Sequence, residues 1–324
     1  MRILSGIQPS GKLHLGNYFG MMKRMVDYQE NNELYAFIVN YHALTSVFDA
    51  KKLQEGTFNA ACDFLALGMD PEKSTFWVQS DVPEVTELTW LLSNVTSMGL
   101  LERAHAYKDK VVKGIPATHG LFSYPVLMAA DILAYGGERV PVGKDQKQHI
   151  EIARDIAERF NATYGETFVL PEEDIEEEIA TVPGIDGQKM SKSYGNTIEI
   201  FADEETLRKK VMSIVTDTTP VDEPKPIENN TLYEIYSLFL NPAEKEELKD
   251  RFLTPGLKYG EVKKELFGMI WEYFRPYREK RKGYANDRGE VMNILQKGAN
   301  KARETASHYV QLARKNVGLY YWDK

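Results

Sequence analysis

Along the first half of the chain, apolar residues switch between two spacings. Residues 2–5 contain the short run Ile3-Leu4, and residues 34–39 (LYAFIV) are apolar throughout, as a strand covered on both faces would be. Residues 75–79 repeat that pattern. Between the first two runs, Leu15, Phe19, Met22 and Val26 fall at i, i+4, i+7 and i+11, one face of a helix. Residues 49–67 read as a second helix stopped by Gly68, and Pro83 opens a third. Strand alternating with helix predicts an α/β fold, a doubly wound parallel sheet whose site lies at the carboxyl ends of its strands. Further on, residues 119–135 read as a helix with Tyr124, Met128, Asp131 and Tyr135 along one side. A strand carrying Val140 and Val142 follows, then a helix over 148–160. From residue 203 the strand patterns stop. Helices are predicted at 204–215, 232–240, 243–252, 262–284 and 289–312, with a proline-bearing linker at 219–226. Gly298, Ala299, Ala302 and Ala306 line one side of the last helix, fit for close packing. The expected organisation is a Rossmann-like catalytic domain at 1–187, a mainly helical domain at 188–288, and a C-terminal helix at 289–324 that packs back on the first domain.

Composition narrows the class. The 324 residues are 43% hydrophobic and 27% charged, which suits a soluble globular chain with more than one domain. Apolar runs are too short to span a membrane, and the N-terminus enters a strand without a signal-peptide pattern, so a cytoplasmic protein is expected. The single cysteine, Cys62, excludes an intrachain disulfide and any multi-cysteine zinc or iron–sulfur site. A net charge of −8 argues mildly against an RNA partner unless the basic groups cluster. They do so at Arg275, Arg278, Lys280, Arg281 and Lys282, with Tyr273, Tyr277 and Tyr284 interleaved. That mixture suits RNA backbone and unstacked bases, and equally an exposed amphipathic helix. Residues 172–178, with six carboxylates in seven positions, read as a solvated face.

Three stretches carry candidate chemistry. After the first strand, Gln8-Pro9-Ser10-Gly11 turns the chain into His14-Leu15-Gly16-Asn17 at a helix start, where unpaired N–H groups and a positive dipole receive phosphate. Gly16 leaves room for a flat ring, and His14 and Asn17 supply donors. An ordinary βα turn would look much the same. The second stretch, Lys189-Met190-Ser191-Lys192-Ser193, sits between glycines and offers two ammonium groups and two hydroxyls to a polyanion, or simply a wet surface. The third is Asp131, an acid among apolar neighbours. It is either a structural partner or an acceptor for a bound donor, since burying it unpaired is costly. Gly143-Lys144-Asp145-Gln146 opens the next helix, and Asp145 there would also serve as an N-cap.

HLGN and KMSKS together resemble the paired signatures of class I aminoacyl-tRNA synthetases. GIQPSGKLHLGNY at 6–18, SYPVLMAADIL at 123–133 and PVGKDQKQH at 141–149 resemble the tryptophanyl-tRNA synthetases, and the likeness runs from residue 3 to about 298. It implies activation of L-tryptophan by ATP with Mg²⁺, release of pyrophosphate, and transfer to tRNA(Trp), in a homodimer formed through the segment around 80–135. His14, Asn17, Lys189 and Lys192 are the implied catalytic groups. The nucleotide would meet Gln8, Pro9, Ser10, Gly16, Asn17, Gly143, Lys144, Asp145, Val182, Lys189, Met190, Ser191, Lys192 and Ser193. Tryptophan would meet Asp131, Tyr124, Met128, Val140, Val142, Leu4, Gly6 and Gln146, with the indole N–H on Asp131. No metal ion is expected on protein ligands. Lys108 or Lys110 would reach toward the nucleotide. Asn17 stands where the class signature has a second histidine, as is common in this subfamily. Some members carry an aromatic residue in place of Leu4. Three rivals stand beside this reading: tyrosine specificity, an adenylyl-forming enzyme without an RNA partner, and a non-catalytic RNA-binding relative. The intact phosphate-handling stretches weigh against the last.

Overall fold

A computed structural model describes residues 1–9, 11–104, 118–143, 146–175 and 182–321. The chain forms two compact units. One gathers Met1–Ser10, Met25–Glu177 and Tyr284–Lys324, and the other Gly11–Arg24 and Glu178–Gly283.

The first unit is built on five parallel strands: β1 (Arg2–Ile7), β2 (Glu33–Ile38), β3 (Ser74–Val78), β4 (Arg139–Pro141) and β5 (Glu172–Asp174). Their order is β3-β2-β1-β4-β5, so the chain winds outward from β1 to one edge and then returns to fill the other side. That reversal makes the carboxyl end of β1 the switch point where such sheets bind ligands. β1 and β2 pair along their whole length, from Arg2 opposite Glu33 to Ile7 opposite Ile38. β2 and β3 are apolar because both their faces are covered. The core is aromatic: Phe37 stacks on Trp77 at 4.9 Å, and Tyr135 meets Trp77 edge-on at 4.9 Å.

The described part of the acidic run is solvated, as expected, and also forms backbone pairing. Glu172–Asp174 is an edge strand, with Glu172 paired to Arg139 at 3.2 Å and Glu173 to Lys147 at 3.1 Å. Charge is tolerated on an edge and discourages pairing with another chain. Residues 176–178 lie outside the described residues.

The Arg288–Asn316 helix starts at Asp287, whose carboxylate accepts the Glu290 N–H at 2.9 Å. Ala299, Ala302 and Ala306 are buried beneath it. Gly298 comes so close to the sheet that a Cβ there would lie 1.9 Å from the Phe76 carbonyl oxygen of β3. Arg303 reaches Glu84 at 3.0 Å, and the Thr305 and Tyr35 hydroxyls meet at 3.0 Å.

In the second unit the helices are Glu204–Met212, Thr231–Ser237, Pro242–Leu253 and Tyr259–Tyr273, followed by Arg275–Asn286. Periodicity predicts one helix over 262–284. It breaks at Phe274 (φ −91°, ψ 1°), because Pro276 has no N–H and its ring crowds the Glu272 carbonyl. The proline-bearing segment is a tight turn wound around Lys225. That side chain is 1% exposed, and its ammonium donates to the carbonyls of Thr219 (2.8 Å), Glu223 (3.3 Å) and Pro220.

The contact at Gly298 sets two effects against each other. Alanine raises helix propensity by about 1 kcal/mol over glycine. Forcing a methyl group against the Phe76 backbone costs about 1–3 kcal/mol. Gly298→Ala should therefore lower the denaturant midpoint without changing the slope of the transition; a raised midpoint would show that the helix and β3 separate freely.

Candidate active site

HLGN and the KMSKS loop lie within the second unit and are held side by side by backbone bonds. The Leu15 N–H donates to the Ile198 carbonyl at 3.0 Å, and the Ile200 N–H to that of Leu13 at 3.0 Å. This bridges His14 to Glu199 in antiparallel fashion. The Gly16 N–H points at Met190 Sδ, 3.4 Å away. Lys192 folds back over Gly11, with Nζ 3.3 Å from where a Cβ would stand.

His14 is buried, and burial first, then the positive Lys192, pushes its imidazole down to about 4 against a smaller opposing pull from Glu199. At neutral pH it is uncharged. Its Nδ1 is buried with no hydrogen-bond partner among the described residues. The Asn17 side-chain oxygen accepts the His14 N–H at 3.2 Å, which leaves the amide NH₂ as the donor end. Leu15–Asn17 is α-helical, and the turn then widens into a π-helix at Tyr18–Met22, a form frequent at functional sites.

Asn196 shapes the loop. It is 2% exposed; its side-chain oxygen accepts the Ser191 N–H at 2.8 Å, and its NH₂ donates to Asp186 at 2.8 Å and to the Lys189 carbonyl at 3.1 Å. The Met190 N–H donates to the Val182 carbonyl at 2.9 Å, so both residues face inward and are buried. Lys189, Lys192 and Ser193 are exposed, and the Ser191 and Ser193 hydroxyls meet at 2.8 Å. A buried amide thus holds up a loop whose two lysines are exposed.

In the first unit, Asp131 is 2% exposed on the His119–Leu133 helix. Its Oδ2 accepts from Gln79 Nε2 at 2.7 Å and lies 2.8 Å from His42 Nε2. Oδ1 is buried with no partner among the described residues. A buried carboxylate oxygen without a donor is costly, so Oδ1 stands as an open acceptor at this end of the sheet. His42 and Gln79 were not singled out in the sequence. The available signal was position: His42 follows β2, Gln79 follows β3, and polar side chains at the carboxyl ends of parallel strands belong to the site.

The other expected residues fall as follows. Tyr124 OH meets His149 Nε2 at 2.6 Å, and burial pushes the phenol up to about 12. Met128, Val142 and Gln146 are half-buried, and Val140 is buried in β4. Leu4 is buried close under Gly137, where a Cβ would come within 2.4 Å of it. Gly6, Gln8 and Gly143 are exposed, whereas Pro9 is buried. Ser10, Lys144, Asp145, Lys108 and Lys110 lie outside the described residues. His42 and Tyr124 also wall a cleft of about 350 Å³ with Leu44, Thr86, Thr89 and Leu127.

The aromatic and basic segment divides between packing and exposure. Tyr273 and Tyr277 pack around Tyr18 and Phe274, and the Tyr273 hydroxyl meets that of Tyr18 at 2.9 Å. Arg278 stacks on Trp271 at 3.6 Å and Arg281 faces Phe201 at 5.2 Å. The half-buried rings of Tyr273 and Tyr277 thus pack within the unit, while Arg275, Lys280 and Lys282 are exposed, as on an exposed amphipathic helix.

Comparison with known proteins identifies the family. Residues 1–275 match the family of class I tRNA synthetases for W and Y. A tryptophan–tRNA ligase of Fusobacterium nucleatum is 56% identical over 319 residues, covering 98% of each chain. The structure of tryptophanyl-tRNA synthetase from Campylobacter jejuni, complexed with ADP and tryptophan, superposes with a TM-score of 0.94 at 53% identity, covering 98% of this chain and 100% of that one. A tyrosyl-tRNA synthetase of Archaeoglobus fulgidus, at 20% identity and a TM-score of 0.65, shares the fold. With both signature stretches intact and relatives of this identity along nearly its whole length, the chain belongs to the class I aminoacyl-tRNA synthetases, in the tryptophan–tRNA ligase family.

Proposed function

We propose that the two sites divide the labour of tryptophan activation, Asp131 receiving the indole and the HLGN–KMSKS pair receiving the triphosphate. The protein is a tryptophan–tRNA ligase. The tryptophan carboxylate attacks the α-phosphate of ATP, the bond to the β-phosphate breaks, and pyrophosphate leaves. The tryptophanyl group then passes from the adenylate to the terminal ribose of tRNA(Trp). Such a displacement needs positioning and charge neutralisation more than covalent help.

The observation that carries this reading is the buried Oδ1 of Asp131, which has no partner among the described residues. An indole N–H is donor only and would satisfy it. Tyr124, Met128, Val140, Val142, Leu4, Gly6 and Gln146 form the rest of this proposed pocket. Lys189 and Lys192 neutralise the leaving pyrophosphate from an exposed loop, aided by Ser191 and Ser193. His14, held neutral, and the NH₂ of Asn17 donate to phosphate oxygens without proton transfer. Gln8, Pro9, Ser10, Gly16, Gly143, Lys144, Asp145, Val182 and Met190 complete the nucleotide contacts. Mg²⁺ fits this arrangement as an ion arriving on the phosphates, whose oxygens suit it, and adds charge neutralisation there. Among the described residues no cluster of three acidic, histidine or cysteine side chains forms a metal site. A homodimer and a cytoplasmic location belong to the same reading. Leu44, Phe48, Trp90 and Met98 are exposed apolar side chains of the kind a partner copy covers, and no helix among the described residues is long and apolar enough to cross a membrane.

Pyrophosphate exchange with each of the twenty amino acids tests the reading. Tryptophan should support exchange far above the rest, and equal exchange with tyrosine would defeat the assignment of Asp131. Lys192→Ala should slow adenylate formation by about a hundred- to a thousandfold while tryptophan binding holds; stopped-flow activation at the parental rate would remove Lys192 from the chemistry. In an NMR pH titration of the free protein, the His14 ring should change protonation near pH 4. Because the unfolded chain takes up that proton nearer pH 6.5, folding stability should fall as pH drops through the interval between the two values. A ring titrating at the ordinary histidine value would refute the neutral-donor role.

A further inference from the structure

Gln79 stands one residue beyond β3, is 1% exposed, and uses both ends of its carboxamide. Its oxygen accepts the Tyr41 N–H at 2.9 Å, and its nitrogen donates to Asp131 Oδ2 at 2.7 Å. One buried amide therefore ties together the end of β3, the Asn40–Ala43 turn after β2, and the His119–Leu133 helix. His42 Nε2, from the same turn, meets the same Oδ2 at 2.8 Å. Both donors converge on one carboxylate oxygen, and the other, Oδ1, is buried and has no partner among the described residues. A carboxylate held this way cannot exchange its oxygens by rotating, because rotation would break both bonds at once.

We propose that Gln79 is a positioning residue that sets amino-acid specificity: by gripping Oδ2 it presents Oδ1 of Asp131 as a fixed partner that accepts and never donates. The proposal rests on the reading that Asp131 receives the substrate ring. A ring N–H, which only donates, matches such a partner. A phenol matches it less well. Its hydroxyl can donate to Oδ1, but its own lone pairs then need a donor, and the His42 Nε2–H and one N–H of the Gln79 amide are already committed to Oδ2. A ring with no hydrogen to give leaves Oδ1 buried and unpaired, the arrangement that rejects an analogue most strongly.

The probe is L-3-(benzothiophen-3-yl)alanine, which has the shape of tryptophan with sulfur in place of N–H. Pyrophosphate exchange by the full-length protein is measured with tryptophan and with this isostere, for the parent and for Gln79→Met, with a thermal melt to confirm folding. The parent should prefer tryptophan strongly in kcat/KM. In Gln79→Met that preference should narrow by about tenfold or more. Most of the change should fall in KM for tryptophan, with kcat altered only a few-fold. A residue that merely supports the fold would lower both substrates alike, so an unchanged preference in a folded variant overturns the proposal. Should Gln79→Met not fold, Gln79→Asn draws the amide back by one methylene and is judged by the same ratio. A parent that uses tryptophan and the isostere equally would instead overturn the reading of Asp131 itself, and with it this proposal.

Discussion

A carboxylate taken out of water has to be met by donors, and in the first unit that requirement organises everything near the sheet's carboxyl end. Asp131 is buried, and the groups that meet it come from the ends of two different strands. The helix that carries it is therefore tied to the turn after β2 and to the end of β3. The aromatic core of Phe37, Trp77 and Tyr135 supplies the apolar surroundings that make the tie strict. In a wetter place, water would substitute for either donor. Here, losing one leaves a buried acceptor unmet, at about 1–3 kcal/mol. The same accounting leaves Oδ1 without a partner among the described residues, which is what supports the proposed binding role.

The second unit solves a different problem, which is to keep cations available on a loop without letting the loop wander. The solution is neutral and buried. Asn196 bonds the loop's backbone from within, and Met190 and Val182 anchor it by their side chains. Lys189 and Lys192 are exposed on that fixed base, with Lys192 folded back over Gly11. The neighbouring His14 follows from the same economy of charge. Burial and a nearby ammonium both oppose its protonation, so a positive loop does not have to repel a second cation beside it. It can still offer an N–H, because a neutral imidazole keeps one.

These arrangements also explain how an acidic chain handles a triphosphate. The net charge of −8 is a sum over the whole molecule, and carboxylates such as Glu172 and Glu173 on the edge strand are matched by basic partners. Local geometry, not the total, determines the field at the loop.

Much of this was written in the sequence. Continuous apolar runs determined the buried parallel strands, and helical spacing determined most of the helices, because both patterns depend on neighbours a few residues apart. The two signature stretches pointed to the family, and the lone acid at 131 called for a hydrogen-bond partner. What the partner would be was not legible. His42 and Gln79 lie far from Asp131 along the chain, and only the packing of one helix across two strand ends brings them to the same oxygen. The acidic edge strand, the aromatic packing of Tyr273 and the lowered proton affinity of His14 were hidden for the same reason. Sequence by itself determined which local elements form and which kinds of group they carry. Tertiary structure alone decided which of those groups meet, and therefore which are charged, which are satisfied and which are left open for a ligand, because those properties depend on burial and on atoms that the chain brings together only by folding.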